Sequence, residues 1–167
     1  MTSRELRVLY ESIIKPFGHP DPMGFMTRAL IMTEGDPDYI GMDGKRGFMP
    51  VDPTRALEEV GVSDVQSLQG NVIAALTMDR MLFESYRTIN DMIIAFHFDI
   101  GDEETWNSQP KYKAFIKDVD DSRADARLMI YPPRATVKDV ISLVSGSDAD
   151  ERLDTKELNF FKRLMRG

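Results

Sequence analysis

The residues that break helices are concentrated in one stretch of this chain, and they limit what can form on either side of it. Residues 25–32 contain neither proline nor glycine and favour a helix. A run of helix breakers follows directly: Gly35, Pro37, Gly41, Gly44 and Gly47. The pattern therefore predicts a helix that ends near Glu34 and opens into a long loop, residues 36–51, which we call the glycine loop.

Elsewhere the apolar residues recur with helical spacing, and no stretch alternates as a strand does. The first helix is predicted at 3–15, with Ser3 as its cap. Further helices are predicted at 23–34, 55–60, 64–86, 88–98 and 112–119. The segment 88–98 is apolar on nearly all sides, which is typical of a buried central helix. The sequence thus predicts an all-α fold.

The composition changes after Val119. Residues 120–123 are polar, and Pro132 and Pro133 interrupt the chain before two short amphipathic patterns at 136–144 and 155–165. We therefore expect a first domain over 1–119 and a helical carboxy-terminal appendage over 120–167.

Charge and cysteine content exclude several classes of protein. The net charge is -7 and no basic run is present, which argues against nucleic acid as a partner. No cysteine is present, so disulfides and thiolate metal sites are excluded. No apolar run is long enough for a membrane span, and residues 1–9 lack the apolar core of a signal peptide.

Glu34 is the candidate for acid chemistry because of its predicted position. Apolar residues precede it, and the carboxy-terminal end of a helix carries partial negative charge. Both disfavour an ionised carboxylate. A glutamic acid that keeps its proton is what a general acid at a glycosidic oxygen needs. The alternative is a solvated glutamate at a helix end.

Several short motifs, in order, resemble the lysozyme-like catalytic domain of soluble lytic transglycosylases over about residues 6–119. That family ends a helix in Glu-Ser and closes the next loop in Gly-Leu-Met-Gln. This chain has Glu34-Gly35 and Gly47-Phe48-Met49-Pro50. The later matches are Pro53-Thr54-Arg55-Ala56, Gly61-Val62, Asn71-Val72, Ala95-Phe96-His97-Phe98-Asp99-Ile100-Gly101 and Phe115-Ile116-Lys117-Asp118-Val119.

The resemblance implies a lysozyme-like fold with a cleft, and cleavage of the β-1,4 bond between N-acetylmuramic acid and N-acetylglucosamine in peptidoglycan. Glu34 would act alone, as acid on the leaving oxygen and then as base on the sugar 6-hydroxyl, which leaves a 1,6-anhydro end. No cofactor is implied. An acid near Glu34 could instead place a water and give hydrolysis, as in a muramidase, or could be a solvated loop acid. The candidates are Asp36, Asp38, Asp43 and Asp99.

Apolar side chains of the matched motifs and nearby loops are expected to line the cleft, where sugar rings stack on them. The residues expected to bind glycan are Gly47, Phe48, Met49, Phe96, His97, Phe98, Trp106 and Phe115. Phe96 is equally consistent with core packing. His97 stands at the family's asparagine and could supply the donor lost there, or could be a packed histidine at a helix end.

The departures from the family pattern keep a second function open. Gly35 replaces the family's serine, Pro50 its glutamine, and Phe96 and Phe115 two tyrosines. These changes remove hydrogen-bonding groups and keep the shape. The alternative function is a non-catalytic module of the same fold that binds glycan or another virion protein. The resemblance, together with the lack of a signal and of cysteine, implies a bacteriophage protein, located in the virion or delivered to the host periplasm and cell wall.

A calcium loop can be laid on residues 146–157. The ligand positions would be filled by Asp148, Asp150, Asp154 and Glu157. However, Gly146 occupies the first ligand position and Glu151 the position that requires glycine. An acidic helix start capped by Ser147 or Asp148 explains the same residues. We therefore expect no metal site.

Overall fold

A computed structural model of the chain describes residues 1–100 and 106–133. The regular structure in these ranges is helical, as predicted for an all-α fold. The helices are α1 (Ser3–Leu9), a π-helical turn (Tyr10–Ile14), α2 (Lys15–Phe17), α3 (Pro22–Thr33), α4 (Pro53–Val60), α5 (Leu68–Tyr86), α6 (Ile89–Phe98) and α7 (Pro110–Ile130).

Local sequence signals account for where these helices begin. Asp52 accepts hydrogen bonds from the backbone N–H groups of Thr54 and Arg55, at 2.8 and 3.1 Å, and so caps α4. The cap of α1 is Thr2 rather than the predicted Ser3. Thr2 and Glu5 form a reciprocal capping box, in which each side chain accepts from the other's backbone N–H.

Helix α6 lies at the centre of the protein, as predicted. Every residue from 91 to 97 is buried. Its Phe96 joins a large apolar core that includes Phe25 and Met26 of α3 and Val72 and Leu76 of α5. A smaller apolar cluster contains Ile94, Trp106 and Tyr112. The core thus forms where α3, α5 and α6 meet.

Helix α7 runs through the boundary predicted after Val119, so the prediction that this helix ends there is wrong. Val119, Ala126 and Ile130 are buried along one face, and Ile130 belongs to the main core. Arg123 donates to Asp21, the cap of α3, with Nη1 and Oδ1 2.7 Å apart. Residues 120–130 therefore pack with the first domain. The helices predicted at 136–144 and 155–165 lie outside the described residues.

Among residues 1–100 and 106–133, no helix combines the length and the apolar character needed to cross a lipid bilayer.

Candidate functional site

Glu34 lies at the end of α3, as predicted, but not in the expected surroundings. Its backbone adopts the left-handed conformation, with φ 54°, and its N–H donates to the carbonyl of Leu30 at 3.0 Å. The side chain is exposed, and within the described residues it makes no hydrogen bond or ion pair. The prediction of an apolar environment is therefore wrong. Helix α3 ends at Thr33, so the Glu34 side chain lies beyond its last turn and is exposed.

The glycine loop contains no strand, but backbone hydrogen bonds hold it in one conformation. Arg46 forms isolated antiparallel bridges with Ile40 and with Val51. The N–H of Gly47 donates to the carbonyl of Tyr39 at 2.9 Å. At the start of the loop, the Thr33 hydroxyl lies 3.0 Å from the carbonyl of Phe48, so it also links the end of α3 to the far side of the loop.

Asn71 of α5 holds the closing end of the loop. Its Nδ2 donates to the carbonyls of Arg46 and Met49, at 2.9 and 3.0 Å, and its Oδ1 accepts from the N–H of Met49 at 3.0 Å. Gly47 permits this contact because a Cβ atom built there would lie 2.1 Å from Asn71 Nδ2. Its φ of 96° also disfavours any other residue. Asn71 thus has a clear structural role.

The carboxy-terminal end of α6 lies against the glycine loop and α4. Lys45 Nζ donates to the carbonyl of His97 at 3.1 Å. Arg55 Nη1 of α4 pairs with Asp99 Oδ1 at 2.6 Å, where Asp99 ends α6 in a left-handed conformation. The loop that begins after Glu34 and the carboxy-terminal end of α6 are therefore neighbours.

Most of the predicted glycan-binding side chains are buried instead of lining an open surface. Phe48 and Met49 are fully buried in the main core, and Phe96 is also a core residue. Trp106 is 5% exposed, and its Nε1 donates to Asp91 at 2.6 Å. The physical reason is that the glycine loop folds back onto α5 and carries its apolar residues inward. Phe98 is exposed and Phe115 is partly buried, so both remain accessible.

His97 is buried as well, between aromatic rings. Its ring centroid lies 4.8 Å from that of Phe96 and 5.0 Å from that of Phe115. Nε2 has no hydrogen-bond partner among the described residues. Burial, with further contributions from Arg28 and Lys45, holds the pKa of His97 well below its usual value of 6.5. His97 is therefore a neutral, enclosed imidazole, which agrees with the packed histidine at a helix end, one of the two alternatives that the sequence left open.

A second group of polar residues lies inside the protein and was missed in the sequence. The His19, Arg28 and Asp79 side chains are all completely buried. Asp21 N donates to His19 Nδ1 at 2.9 Å, so the ring proton is on Nε2, which donates to Asp79 at 2.6 Å. Arg28 pairs with the same carboxylate. The available signal was the placement of Arg28 and Asp79 among apolar helix residues.

The acids proposed to place a water have structural partners in most cases. Asp36 accepts from the N–H of Asp38 at 2.8 Å, and Asp43 from that of Lys45 at 3.1 Å. Asp99 pairs with Arg55. No cluster of three or more potential metal ligands occurs in residues 1–100 and 106–133. The calcium candidate, with Asp148, Asp150, Asp154 and Glu157, lies outside the described residues.

Comparison of the chain with protein-family models, with curated proteins and with solved structures finds no match.

Proposed function

We propose that this chain cleaves the glycan strands of peptidoglycan as a lytic transglycosylase of lysozyme-like fold, with Glu34 as general acid and then general base. The observation that carries the proposal is the position of Glu34. An exposed carboxylate without a partner in the described residues stands on a left-handed helix end, next to a loop fixed by hydrogen bonds.

The left-handed backbone makes glutamate an unfavourable choice at this position. An L side chain there costs about 1–2 kcal/mol, and glycine is common at such helix ends. Strained residues of this kind concentrate at functional sites. Arg87 and Asp99 are also left-handed, but Asp99 pairs with Arg55 and Arg87 ends α5 away from the glycine loop. A catalytic role accounts for the glutamate.

The support around Glu34 is suited to positioning a substrate. Thr33, the residue before Glu34, donates to the carbonyl of Phe48, and Asn71 bonds Met49, so the closing end of the glycine loop is held against the end of α3. Exposed Phe98 offers an apolar face on which a sugar ring can stack. Because Glu34 is exposed, water is excluded from it only when the glycan covers it.

In the proposed reaction, Glu34 donates its proton to the glycosidic oxygen between N-acetylmuramic acid and N-acetylglucosamine. The bond from the muramic acid anomeric carbon to that oxygen breaks, and the resulting carboxylate takes the proton of the muramic acid 6-hydroxyl. The 6-oxygen then bonds to the anomeric carbon and forms the 1,6-anhydro ring. No water is consumed. The expected locations are a bacteriophage virion and the host cell wall.

A non-catalytic module that binds glycan or a virion partner is the second candidate. Phe48, Met49 and Phe96 are core residues. Their apolar side chains are needed for packing whether or not the protein is an enzyme, so their match to the family does not favour catalysis. Gly35 also leaves Glu34 without the neighbouring hydroxyl that the family has.

Digestion of purified cell-wall sacculi, with mass spectrometry of the products, tests the proposal. The wild-type protein should release fragments with 1,6-anhydro ends. Glu34→Gln should lower the rate at least about 100-fold, because an amide cannot donate the proton. Arg87→Gln is the matched control, since it changes a charged residue at another left-handed helix end.

The products separate the alternatives. Reducing ends in place of anhydro ends would indicate hydrolysis. Binding of sacculi without any product would support the non-catalytic module. Unchanged cleavage by a folded Glu34→Gln protein would exclude Glu34 as the acid.

A further inference from the structure

A small pocket lies between the glycine loop and the segment that joins α4 to α5. Its volume is about 170 Å³. Its walls are partly apolar and partly charged, formed by Pro37, Asp38, Tyr39, Ile40, Arg46, Gly47, Val65 and Gln66. Pockets for drug-sized ligands measure about 300–1,000 Å³, so this one accommodates a group of roughly one amino-acid residue.

Arg46 is the distinctive residue of this pocket. Its N–H donates to the carbonyl of Val51 at 2.9 Å, and its carbonyl accepts from Val51 N–H at 3.0 Å and from Asn71 Nδ2 at 2.9 Å. The N–H and the carbonyl of Arg46 are thus both hydrogen-bonded within the protein. The partly buried guanidinium, by contrast, has no ion pair or hydrogen bond with any described residue. Arg46, which lines the pocket on a fixed backbone, therefore has guanidinium donors that are free of partners among the described residues.

The chemistry of the walls defines a ligand. A guanidinium recognises carboxylates through two parallel hydrogen bonds. Tyr39, Ile40 and Val65 supply apolar surface for a small side chain, and exposed Asp38 supplies the opposite charge. A short peptide that carries carboxylates, a small apolar residue and an amino group could place one residue in the pocket and offer its other groups to the residues at the rim.

We propose that this pocket binds the stem peptide of peptidoglycan and that Arg46 pairs with one of its carboxylates. This inference rests on the function proposed above. The stem peptide is attached to the muramic acid that forms one side of the cleaved bond. Pro37 follows Glu34 by three residues, so their Cα atoms are at most about 11 Å apart. The pocket therefore begins within reach of a peptide attached at the cleavage site.

The first test compares two substrates: glycan strands that keep their peptides, and the same strands after removal of the peptides by an amidase. Arg46→Gln should lower kcat/KM on the peptide-bearing strands by about 10- to 100-fold, as expected for loss of a hydrogen-bonded charge pair. On stripped strands it should match the wild type. Arg4→Gln, at an exposed arginine of α1, is the control and should change neither rate.

Two results of this test would overturn the inference. One is an equal loss on both substrates, which would make Arg46 part of general glycan binding. The other is no loss on peptide-bearing strands. Thermal melting should show that Arg46→Gln is folded, because the hydrogen bonds of residue 46 come from its backbone.

A second test is independent of cleavage. The soluble tripeptide L-alanyl-γ-D-glutamyl-diaminopimelate is titrated into isotope-labelled protein, and amide shifts of residues 37–47 are followed by NMR. Binding by the wild type that is lost in Arg46→Gln would support the pocket even if no cleavage occurred. Absence of binding, or equal binding by both proteins, would overturn the pocket and leave the cleavage proposal to its own experiment.

Discussion

Helix α3 carries two charged residues in opposite surroundings. Arg28 is completely buried, pairs with Asp79, and lies over the rings of Phe25 and Phe96, with its guanidinium carbon 5.7 and 5.4 Å from their centroids. Glu34, six residues later, is exposed and unpaired within the described residues. Asp79 of α5 neutralises the charge of Arg28, and the Arg28 side chain thereby connects α3 with α5 and α6. The Glu34 carboxyl group is accessible. The difference shows that pairing, more than charge itself, separates structural from candidate functional residues in this fold.

Removing the partner of Arg28 should give the largest effect. Asp79→Ala leaves a buried, unpaired guanidinium and a histidine donor without an acceptor, and should reduce the free energy of unfolding by about 3–5 kcal/mol. Urea denaturation of the two proteins measures this difference. Glu84→Ala is the matched control on the same helix: its exposed pair with Arg80, at 3.8 Å, should contribute about 0.5 kcal/mol or less.

The double variant Arg28→Met, Asp79→Leu sharpens the same comparison. Apolar residues of similar size should recover most of the stability lost in Asp79→Ala, since both charges are removed together. If the double variant were less stable than the single one, Arg28 would contribute through its contacts with the two rings more than through its charge.

His97 connects the glycine loop with the buried surroundings of Arg28. Its carbonyl accepts a hydrogen bond from Lys45, and the charge of Arg28 helps to lower the pKa of its ring. Its pKa is lowered in the folded protein, so below pH 6.5 the unfolded chain binds a proton that the folded protein does not. The free energy of unfolding should therefore fall by up to about 1.4 kcal/mol per pH unit as pH decreases from 6.5, and level off below the folded pKa.

Comparison with His97→Leu isolates this contribution, because leucine does not titrate. The difference in unfolding free energy between wild type and variant should be constant above pH 6.5 and should change below it. The pKa of Asp21 is lowered because its hydrogen bonds and ion pair with Arg123 outweigh the opposing effect of burial, so its contribution is lost only when pH falls below about 3.8. A difference that did not vary between pH 4 and 6.5 would contradict the neutral, enclosed state of His97.

The smallest effect on the free energy of unfolding is expected at Glu34. Glu34→Gly should stabilise the protein by about 0.5–1 kcal/mol, because relief of the left-handed backbone exceeds the entropy that glycine adds to the unfolded chain. Arg87→Gly should give a similar gain, since Arg87 has a φ of 63°. Only the first should abolish cleavage of sacculi. Equal loss of activity in both would indicate that the helix ends matter through backbone rigidity.

The sequence predicts well what depends on neighbouring residues. The start of α4 at Asp52 and Pro53 and the end of α3 before Gly35 follow from capping and from helix breakers. The burial of α6 follows from its apolar composition. The predictions that were wrong concern features set by contacts between residues distant in sequence. Phe48 and Met49 were expected to line a cleft, but they point inward because Asn71, more than twenty residues later, binds the backbone of the loop.

The same limitation explains the error at residue 119. Residues 120–123 are polar and resemble a linker, but they belong to a helix whose buried side continues through Ala126 and Ile130. Arg123 is held by Asp21, which is 102 residues away in sequence. Arg28 and Asp79 were missed for a related reason, since a charged residue is normally expected at the surface unless its partner is known.

The fixed contact between Gly47 and Asn71 also determines which parts of the glycine loop can diversify. No side chain fits at position 47, and the φ of 83° at Gly44 also favours glycine, although a Cβ there would meet no other atom within 4 Å. Ile40 and Met42 are already exposed. Natural variation or a mutational library should therefore tolerate many residues at 40, 42 and 43 and very few at 44, 47–49 and 71. The loop thus has a constrained base and a tip that can change without refolding of the helices beneath it.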